Sequence, residues 1–380
     1  MDFSLDAERR EFQRSVANFA KAKLSSPPDG GGFWREGFDL CREFGLTALP
    51  LPEAYGGHER DIVDCLLAMQ ALGRHCPDTG LLLALNSHLW TCALPLAQFG
   101  SEAQKDAYLP RLATGELIGG HAVSEPEAGS DAFAMRTRAT ASGDGGHAIT
   151  GSKVFSSNAP ISDVLLVFAR TDVVANNPMA GITCFIVDTT RAGVTLGPAM
   201  AKMGLEGAPT GEVFFDDCDV PATHVLGKVG GGAAIFNAEM EWERCCLFAT
   251  HLGTMQRQLA TCVRYANTRK QFGKPIGKQQ AIAHKLADMK VRIELGELML
   301  HKAAWLKQQG KRAPLEAAIA KLHVSEAFVA SSLDAIQIHG GNGYMRDYGV
   351  ERDLRDAVGT KIYSGTSEIQ RNMIASWLGL

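Results

Sequence analysis

Arg136-Thr137-Arg138-Ala139-Thr140-Ala141, Ser142-Gly143-Asp144-Gly145-Gly146 and His147-Ala148-Ile149-Thr150 follow one another near the middle of the chain. Large and small residues alternate in the first stretch, a Ser/Gly/Asp run reverses the chain, and the strand resumes. This is the pattern of a β-hairpin, and it belongs to a change of character that begins near Gly119. Further along, 164–169, 182–187 and 211–215 are β-branched or aromatic runs bounded by Gly, Pro, Asn and Asp. The block 120–225 therefore reads as a compact β unit.

Both flanks read as helix. Phe12, Val16 and Phe19 lie on one stripe at helical spacing. The run Ser25-Ser26-Pro27-Pro28-Asp29-Gly30-Gly31-Gly32 breaks that helix, and helical segments follow at 34–44, 62–74 and 103–113. Beyond Pro221 and the glycines at 230–232, Ile282, Leu286, Met289 and Ile293, then Leu315, Ile319 and Leu322, keep the 3.6-residue period. Pro314 sits just inside a helix start, where its missing N–H costs nothing. Helices, a β block and helices again, without β-α alternation, argue against a doubly wound parallel sheet.

A chain of 380 residues calls for two or three packed units. Hydrophobic residues at 46% and charged residues at 21% are the balance of a soluble globular protein. A formal charge of −4 offers no global field for nucleic acid. The nine cysteines include no CxxC, and Cys245 and Cys246 are adjacent, so reduced thiols scattered through a core are expected. Residues 1–10 lack the basic start and apolar run of a signal peptide. With no run of about 18 apolar residues, a membrane span is not expected and the cytoplasm is the expected compartment.

Several common chemistries have no signature here. Gly227 to Gly232 and Gly340-Gly341-Asn342-Gly343 have the wrong spacing for a dinucleotide loop. Gly273-Lys274-Pro275-Ile276-Gly277-Lys278-Gln279 is one residue short of a phosphate loop and lacks its Ser/Thr. No Gly-x-Ser-x-Gly elbow occurs, and no His pair has metal-ligand spacing, so no metal site is expected.

His121-Ala122-Val123-Ser124-Glu125-Pro126-Glu127-Ala128-Gly129-Ser130-Asp131 opens the β unit. Small residues and hydroxyls on such a loop let backbone N–H groups approach a flat polar ring, although a capped surface loop has the same look. This stretch resembles the Thr-Glu-Pro-x-Ala-Gly-Ser-Asp signature of the acyl-CoA dehydrogenases, with Ser124 in the Thr position. Leu51-Pro52-Glu53-Ala54-Tyr55-Gly56-Gly57, Phe99-Gly100-Ser101-Glu102-Ala103-Gln104-Lys105 and Gly151-Ser152-Lys153-Val154-Phe155-Ser156-Ser157-Asn158-Ala159 are similar to other family segments. So are Lys202-Met203-Gly204, Phe215-Asp216-Asp217 and Val220-Pro221, and the order of all of them is the family's.

The resemblance implies an α+β fold: an N-terminal α-helical domain (1–118), a central antiparallel β-barrel or sandwich-like domain (119–226) and a C-terminal four-helix bundle (227–380). It implies FAD, with Val123, Ser124, Phe155 and Ser157 against the isoalloxazine and Ser130 facing the thioester arm of the substrate. Phe155 stands where a Trp is frequent, and either ring can pack on a flat cofactor. Arg264, Arg269, Lys270, Lys274 and Lys278 cluster around Phe272-Gly273; a solvated helix end, a pyrophosphate site and a nucleic-acid contact are the readings, and the second suits the planar Arg fork. The family's Arg-x-x-Phe-Gly favours the second and implies Arg269, Gln271 and Phe272 on the diphosphate across a subunit boundary. Gln337, Gly340, Gly341, Thr366 and Glu368 lie in segments that resemble the surroundings of the adenosine half.

Desaturating a saturated thioester needs a desolvated base for the α-proton, a hydride acceptor at the β-carbon and donors for the thioester oxygen. Most relatives place a Glu in a Tyr-Glu-Gly-Thr turn, whereas this chain reads Tyr363-Ser364-Gly365-Thr366. The backbone N–H of Ser364 can still polarise the thioester oxygen. A subset similar to the isovaleryl-CoA enzymes supplies the Glu from an internal helix, in an Asp-x-x-Glu-Arg context. Met240-Glu241-Trp242-Glu243-Arg244 is the matching segment, which makes Glu243 the candidate base or, alternatively, a structural Glu paired to an Arg. Glu241 and Arg244 are then expected near the substrate, Arg244 on the pantetheine arm or on a helix neighbour.

The expected reaction is FAD-linked α,β-dehydrogenation of an acyl thioester, carried by CoA or by a carrier protein. His88 and Trp90 are positioned to shorten the acyl pocket, which favours a short or branched chain. An electron-transfer flavoprotein is the expected acceptor, and a homo-oligomer, dimer or tetramer, the expected assembly. The alternatives are a flavin-dependent monooxygenase or hydroxylase of the same fold, which needs no α-proton base, and a non-enzymatic partner protein.

Overall fold

The computed structural model describes residues 5–28, 30–143, 145–171 and 177–380. Residues 1–4, Asp29 in the helix-breaking run and Asp144 in the hairpin turn lie outside the described residues.

The N-terminal part is helical: α1 (Ala7–Lys23), α2 (Arg35–Glu43), α3 (Ile62–His75), α4 (Thr79–His88), α5 (Leu94–Phe99) and α6 (Glu102–Ala113). Asp6, Asp61 and Asp78 accept from backbone N–H groups at the starts of α1, α3 and α4, and Ser101 and Gln104 form a capping box at α6. A π-type turn, Leu89–Ala93, joins α4 to α5. Contrary to expectation, the continuous run Thr79–Phe99 is long and apolar enough to cross a bilayer. It is 94% buried inside the protein and serves as a core helix.

The middle part is one eight-stranded sheet: β1 (Gly119–Ala122), β2 (Arg138–Ala141), β3 (His147–Ser157), β4 (Val164–Arg170), β5 (Ile182–Asp188), β6 (Val194–Leu196), β7 (Thr210–Val220) and β8 (Val225–Leu226). The opening hairpin is β2–β3, with Arg138 opposite Thr150 and Ala141 opposite His147. Pairing is antiparallel except where β1 and β2 each meet β4 in parallel. Val167, Phe185, Val187, Val213 and Phe215 fill one face of this sheet, and Leu166, Phe168, Cys184 and Ile186 the other.

Helix then returns as α7 (Gly232–Thr268), a short hairpin of β9 (Lys270–Gln271) and β10 (Lys274–Pro275), α8 (Gln280–Gln308), α9 (Pro314–His339), α10 (Gly341–Tyr344), α11 (Val350–Thr360) and α12 (Ser367–Trp377). Three long helices and shorter C-terminal ones make up this bundle. Gly73 and Gly253 let α3 and α7 approach closely: a Cβ on Gly73 would lie 1.9 Å from the Thr250 carbonyl oxygen. One apolar core, including Leu66, Leu81, Phe248, Leu252 and Phe328, is therefore shared by both helical parts. All nine cysteines are buried and unpaired, as expected of reduced thiols.

Candidate active site

Three elements supply the site: the loop after β1, the middle of α7 and the turn before α12. Lys153, fully buried on β3, pins the loop by donating to the Val123 carbonyl (2.9 Å) and to Glu125 Oε1 (2.8 Å). Glu125 also accepts the Arg136 and Thr137 backbone N–H groups at 2.6 and 2.9 Å. Burial opposes its charge, but Lys153 and these donors outweigh burial and hold its carboxyl below the ordinary range. The Val154 N–H donates to the Ser124 carbonyl at 2.9 Å, tying β3 to the loop.

A register shift against β7 between Lys153 and Ser156 is a bulge. It puts Phe155 at φ 56°, a left-handed conformation unfavourable for a Phe, and turns its ring outward to 68% exposure. Phe155 thus presents an uncovered aromatic ring, with Ser124 and Ser157 half-buried on the two segments that the Val154–Ser124 hydrogen bond joins and Val123 buried beside Ser124. A flat heteroaromatic ring fits such a surface. Ser130 is exposed on the same loop.

Glu243 is buried on α7, and Ser364 Oγ donates to its Oε1 at 2.9 Å. Its Oε2 is buried with no partner among the described residues. The serine standing in place of the family's usual Glu thus holds the carboxylate of α7. Ser364 (φ 55°) and Gly365 (φ 87°) form a left-handed turn whose carbonyls face Arg244 and Gln370. Arg244 Nε donates to the Ser364 carbonyl at 3.0 Å, and Gln370 Nε2 to the Gly365 carbonyl at 2.9 Å. The Ser364 N–H finds no acceptor among the described residues. Tyr363 OH is 2.5 Å from His251 Nε2; burial and then Lys321 push His251 down to about 3, so it accepts as a neutral ring.

One turn earlier on α7, Glu239 is buried and its Oε1 lies 3.0 Å from His121 Nδ1 on β1. Desolvation works against a charged His121, but Glu239 and the field of Glu243 outweigh it and raise the imidazole. Burial pushes Glu239 up to about 7 in spite of that partner. Trp90, fully buried in the π-type turn, stacks on Trp242 with centroids 5.9 Å apart and donates to Asn86 at 2.6 Å.

One expectation needs correction. Glu241 does not join the site: it points to the opposite side of α7, bonded by Lys307 (2.9 Å) and the Ala313 N–H (3.2 Å), and ties α7 to the start of α9. Residues two apart on a helix do not share a face. Arg244, expected on the pantetheine arm or on a helix neighbour, donates to the Ser364 carbonyl in the turn before α12. His88 has both ring nitrogens engaged, Nε2 with the Leu112 carbonyl and Nδ1 with the Gly119 N–H, and burial pushes it down to about 4.

Arg269, Gln271 and Phe272 are exposed on the β9–β10 hairpin, Phe272 at 93%. Gln337, Gly340 and Gly341, also exposed, end α9 beside them; Tyr265 bridges the two groups by stacking on His339 at 4.2 Å while its carbonyl accepts the Arg269 N–H. This cluster lies at the other end of α7 from Glu243, about 37 Å along the axis at 1.5 Å per residue. Thr366 caps α12, and Glu368 is exposed in its first turn.

The pairs Lys153–Glu125 and His121–Glu239 escaped the sequence reading. Only the second left a trace there, in the i, i+4 spacing of Glu239 and Glu243.

Comparison with known proteins agrees with this geometry. The models for the N-terminal, middle and C-terminal domains of acyl-CoA dehydrogenase match residues 6–116, 120–218 and 230–379. An L-prolyl-[peptidyl-carrier protein] dehydrogenase of Pseudomonas fluorescens is 41% identical over 100% of both chains. Among solved structures, the prolyl acyl carrier protein oxidase AnaB has a TM-score of 0.96 at 42% identity, covering 99% of this chain and 100% of its own. PigA with FAD and proline superposes with a TM-score of 0.96 at 36% identity over 100% of both chains. The chain belongs to the acyl-CoA dehydrogenase family and is an FAD-dependent oxidoreductase acting on acyl thioesters.

Proposed function

We propose that this enzyme desaturates a small cyclic aminoacyl group, of the prolyl kind, held as a thioester on a carrier protein, with Glu243 as the base. The observation that carries the mechanism is the buried Glu243 carboxylate, oriented through one oxygen by Ser364 and free at the other. The free oxygen takes the α-proton. The Ser364 N–H, left without an acceptor among the described residues and fixed by Arg244 and Gln370 through the neighbouring carbonyls, polarises the thioester oxygen as negative charge develops. FAD, when bound, supplies the acceptor for the hydride from the β-carbon. Burial of Glu243 keeps bulk water from its carboxylate.

The substrate class rests on the relatives, which are named for prolyl carrier proteins at full-length coverage. Trp90 stacks on Trp242, the residue before Glu243, and a bulky pair at that place fits a small acyl group. The exposed Arg269, Gln271 and Phe272, with Gln337, Gly340 and Gly341, hold the diphosphate and adenosine of a cofactor whose ring lies in another subunit. The length of α7 separates them from the Phe155 surface of their own chain. Val291, Leu295 and Leu298 form an exposed apolar stripe on α8 suited to a second copy. The electron acceptor is an electron-transfer flavoprotein or oxygen, and the rates of flavin reoxidation with each decide between them.

Anaerobic titration with a panel of thioesters tests the reading by the loss of flavin absorbance. Prolyl-carrier protein should bleach the flavin faster than any straight-chain acyl-CoA. Preference for a straight-chain acyl-CoA would overturn the substrate assignment.

A further inference from the structure

Glu239 and Glu243 lie four residues apart, so their side chains leave α7 on the same face. Each carboxylate has one oxygen committed, to His121 and to Ser364 respectively. The second oxygen of each is buried and has no partner among the described residues. The sequence two residues beyond His121 is Val123-Ser124 of the flavin-facing loop, so this pair of acids borders the reaction site and does not sit elsewhere in the core. Glu239 has no role in the desaturation as derived above. A buried acid with a vacant oxygen, one turn from the base, is costly unless something fills the gap.

No lysine or arginine bonds to Glu239 among the described residues. Arg244 is bonded to the Ser364 carbonyl, and Lys321 Nζ, buried on α9 and without a hydrogen-bond partner among the described residues, lies 5.5 Å from the Phe248 ring centroid. His121 alone contacts Glu239 and leaves one of its oxygens open. A plain acyl chain would desolvate this acid and return nothing. An acyl group with an amine on its α-carbon would place a cation one bond from the carbon whose proton Glu243 takes. It would lie within reach of a carboxylate one helical turn away.

We propose that Glu239, oriented by His121, binds the α-ammonium group of an aminoacyl substrate and so makes the enzyme select aminoacyl over plain acyl thioesters. This inference rests on the aminoacyl reading above and gives it a residue. A site built to pair with a charged group rejects the analogue lacking it, because its own acid then stays unpaired.

The experiment compares prolyl-pantetheine thioester with its carbocyclic isostere, cyclopentanecarbonyl-pantetheine thioester, by anaerobic flavin bleaching in wild type, Glu239→Gln and His121→Gln. Wild type should favour the prolyl compound, and the ratio of the two kcat/KM values should fall roughly 10- to 100-fold in Glu239→Gln, the range for one hydrogen bond to a charged group. His121→Gln should move the same ratio in the same direction by less. A wild-type ratio near one overturns the ammonium site even if a Glu239 variant fails to fold. So does a Glu239→Gln enzyme with normal FAD content that loses activity on both compounds in equal proportion. Wild type that bleaches with neither ring, yet does so with straight-chain acyl-CoA, overturns the aminoacyl reading itself.

Discussion

Lys153→Met is the sharpest test of how the loop after β1 is held. Methionine keeps the length and apolar body of the side chain and deletes its charge. Three bonds go: those to the Val123 carbonyl and Glu125 Oε1, and the long one to Met135 Sδ. Glu125 stays buried and keeps only its two backbone donors. Removing one partner of a buried pair costs about 3–5 kcal/mol, and the surviving amide bonds place this case near 3. At an unfolding entropy of about 2.1 cal/mol/K per residue, 380 residues give about 0.8 kcal/mol per degree, so the melting temperature should fall by about 4 °C.

The pH dependence carries a sign. Glu125 is held below its ordinary value in the folded state, so its stabilisation is present above the unfolded value and is lost as pH falls through the folded one. The gap between wild type and Lys153→Met should therefore be widest near neutrality and close in acid. Differential scanning calorimetry across pH, with FAD content measured in parallel, reads both effects. A shift under 1 °C at neutral pH, or a gap that widens in acid, would refute the pinning argument.

Other outcomes follow from the same coordinates. Gly365→Ala puts a Cβ 2.7 Å from Gln370 Nε2 at φ 87°, so kcat should drop at least about tenfold while FAD remains bound, read by stopped-flow bleaching. Trp90→Ala should cost about 3–5 kcal/mol in denaturant unfolding and raise the relative kcat/KM for longer acyl groups. Placing the base back in the turn, as Glu243→Ala with Ser364→Glu, should recover part of the bleaching rate that Glu243→Ala alone loses. The single-turnover rates of the two proteins decide this.

Much of the architecture was legible because periodicity reports burial. The hairpin at 138–150 and the apolar stripes of α3 and α9 follow directly from which side of each element is dry. The parallel joins of β1 and β2 to β4 were not legible, since pairing between strands distant in sequence leaves no local mark. The run Thr79–Phe99 escaped notice because His88 and Asn86 interrupt its apolar character, and the fold satisfies both internally. At the site, motif position pointed to Glu241 and helical geometry to Glu239. Geometry prevails, because a side chain 200° round a helix cannot share a pocket with Glu243. Ser364 was recognised as a departure, but its hydroxyl reaching Glu243 is a contact across 121 residues that no local pattern encodes.

The central claim is that the α-proton goes to the carboxylate on α7. Glu243→Gln keeps shape and burial and removes basicity, so its single-turnover flavin bleaching by prolyl-carrier protein should slow by about 10²–10⁴ while the FAD spectrum stays intact. A Glu243→Gln enzyme that bleaches within a few-fold of wild type would contradict the account, because the proton would then have another destination.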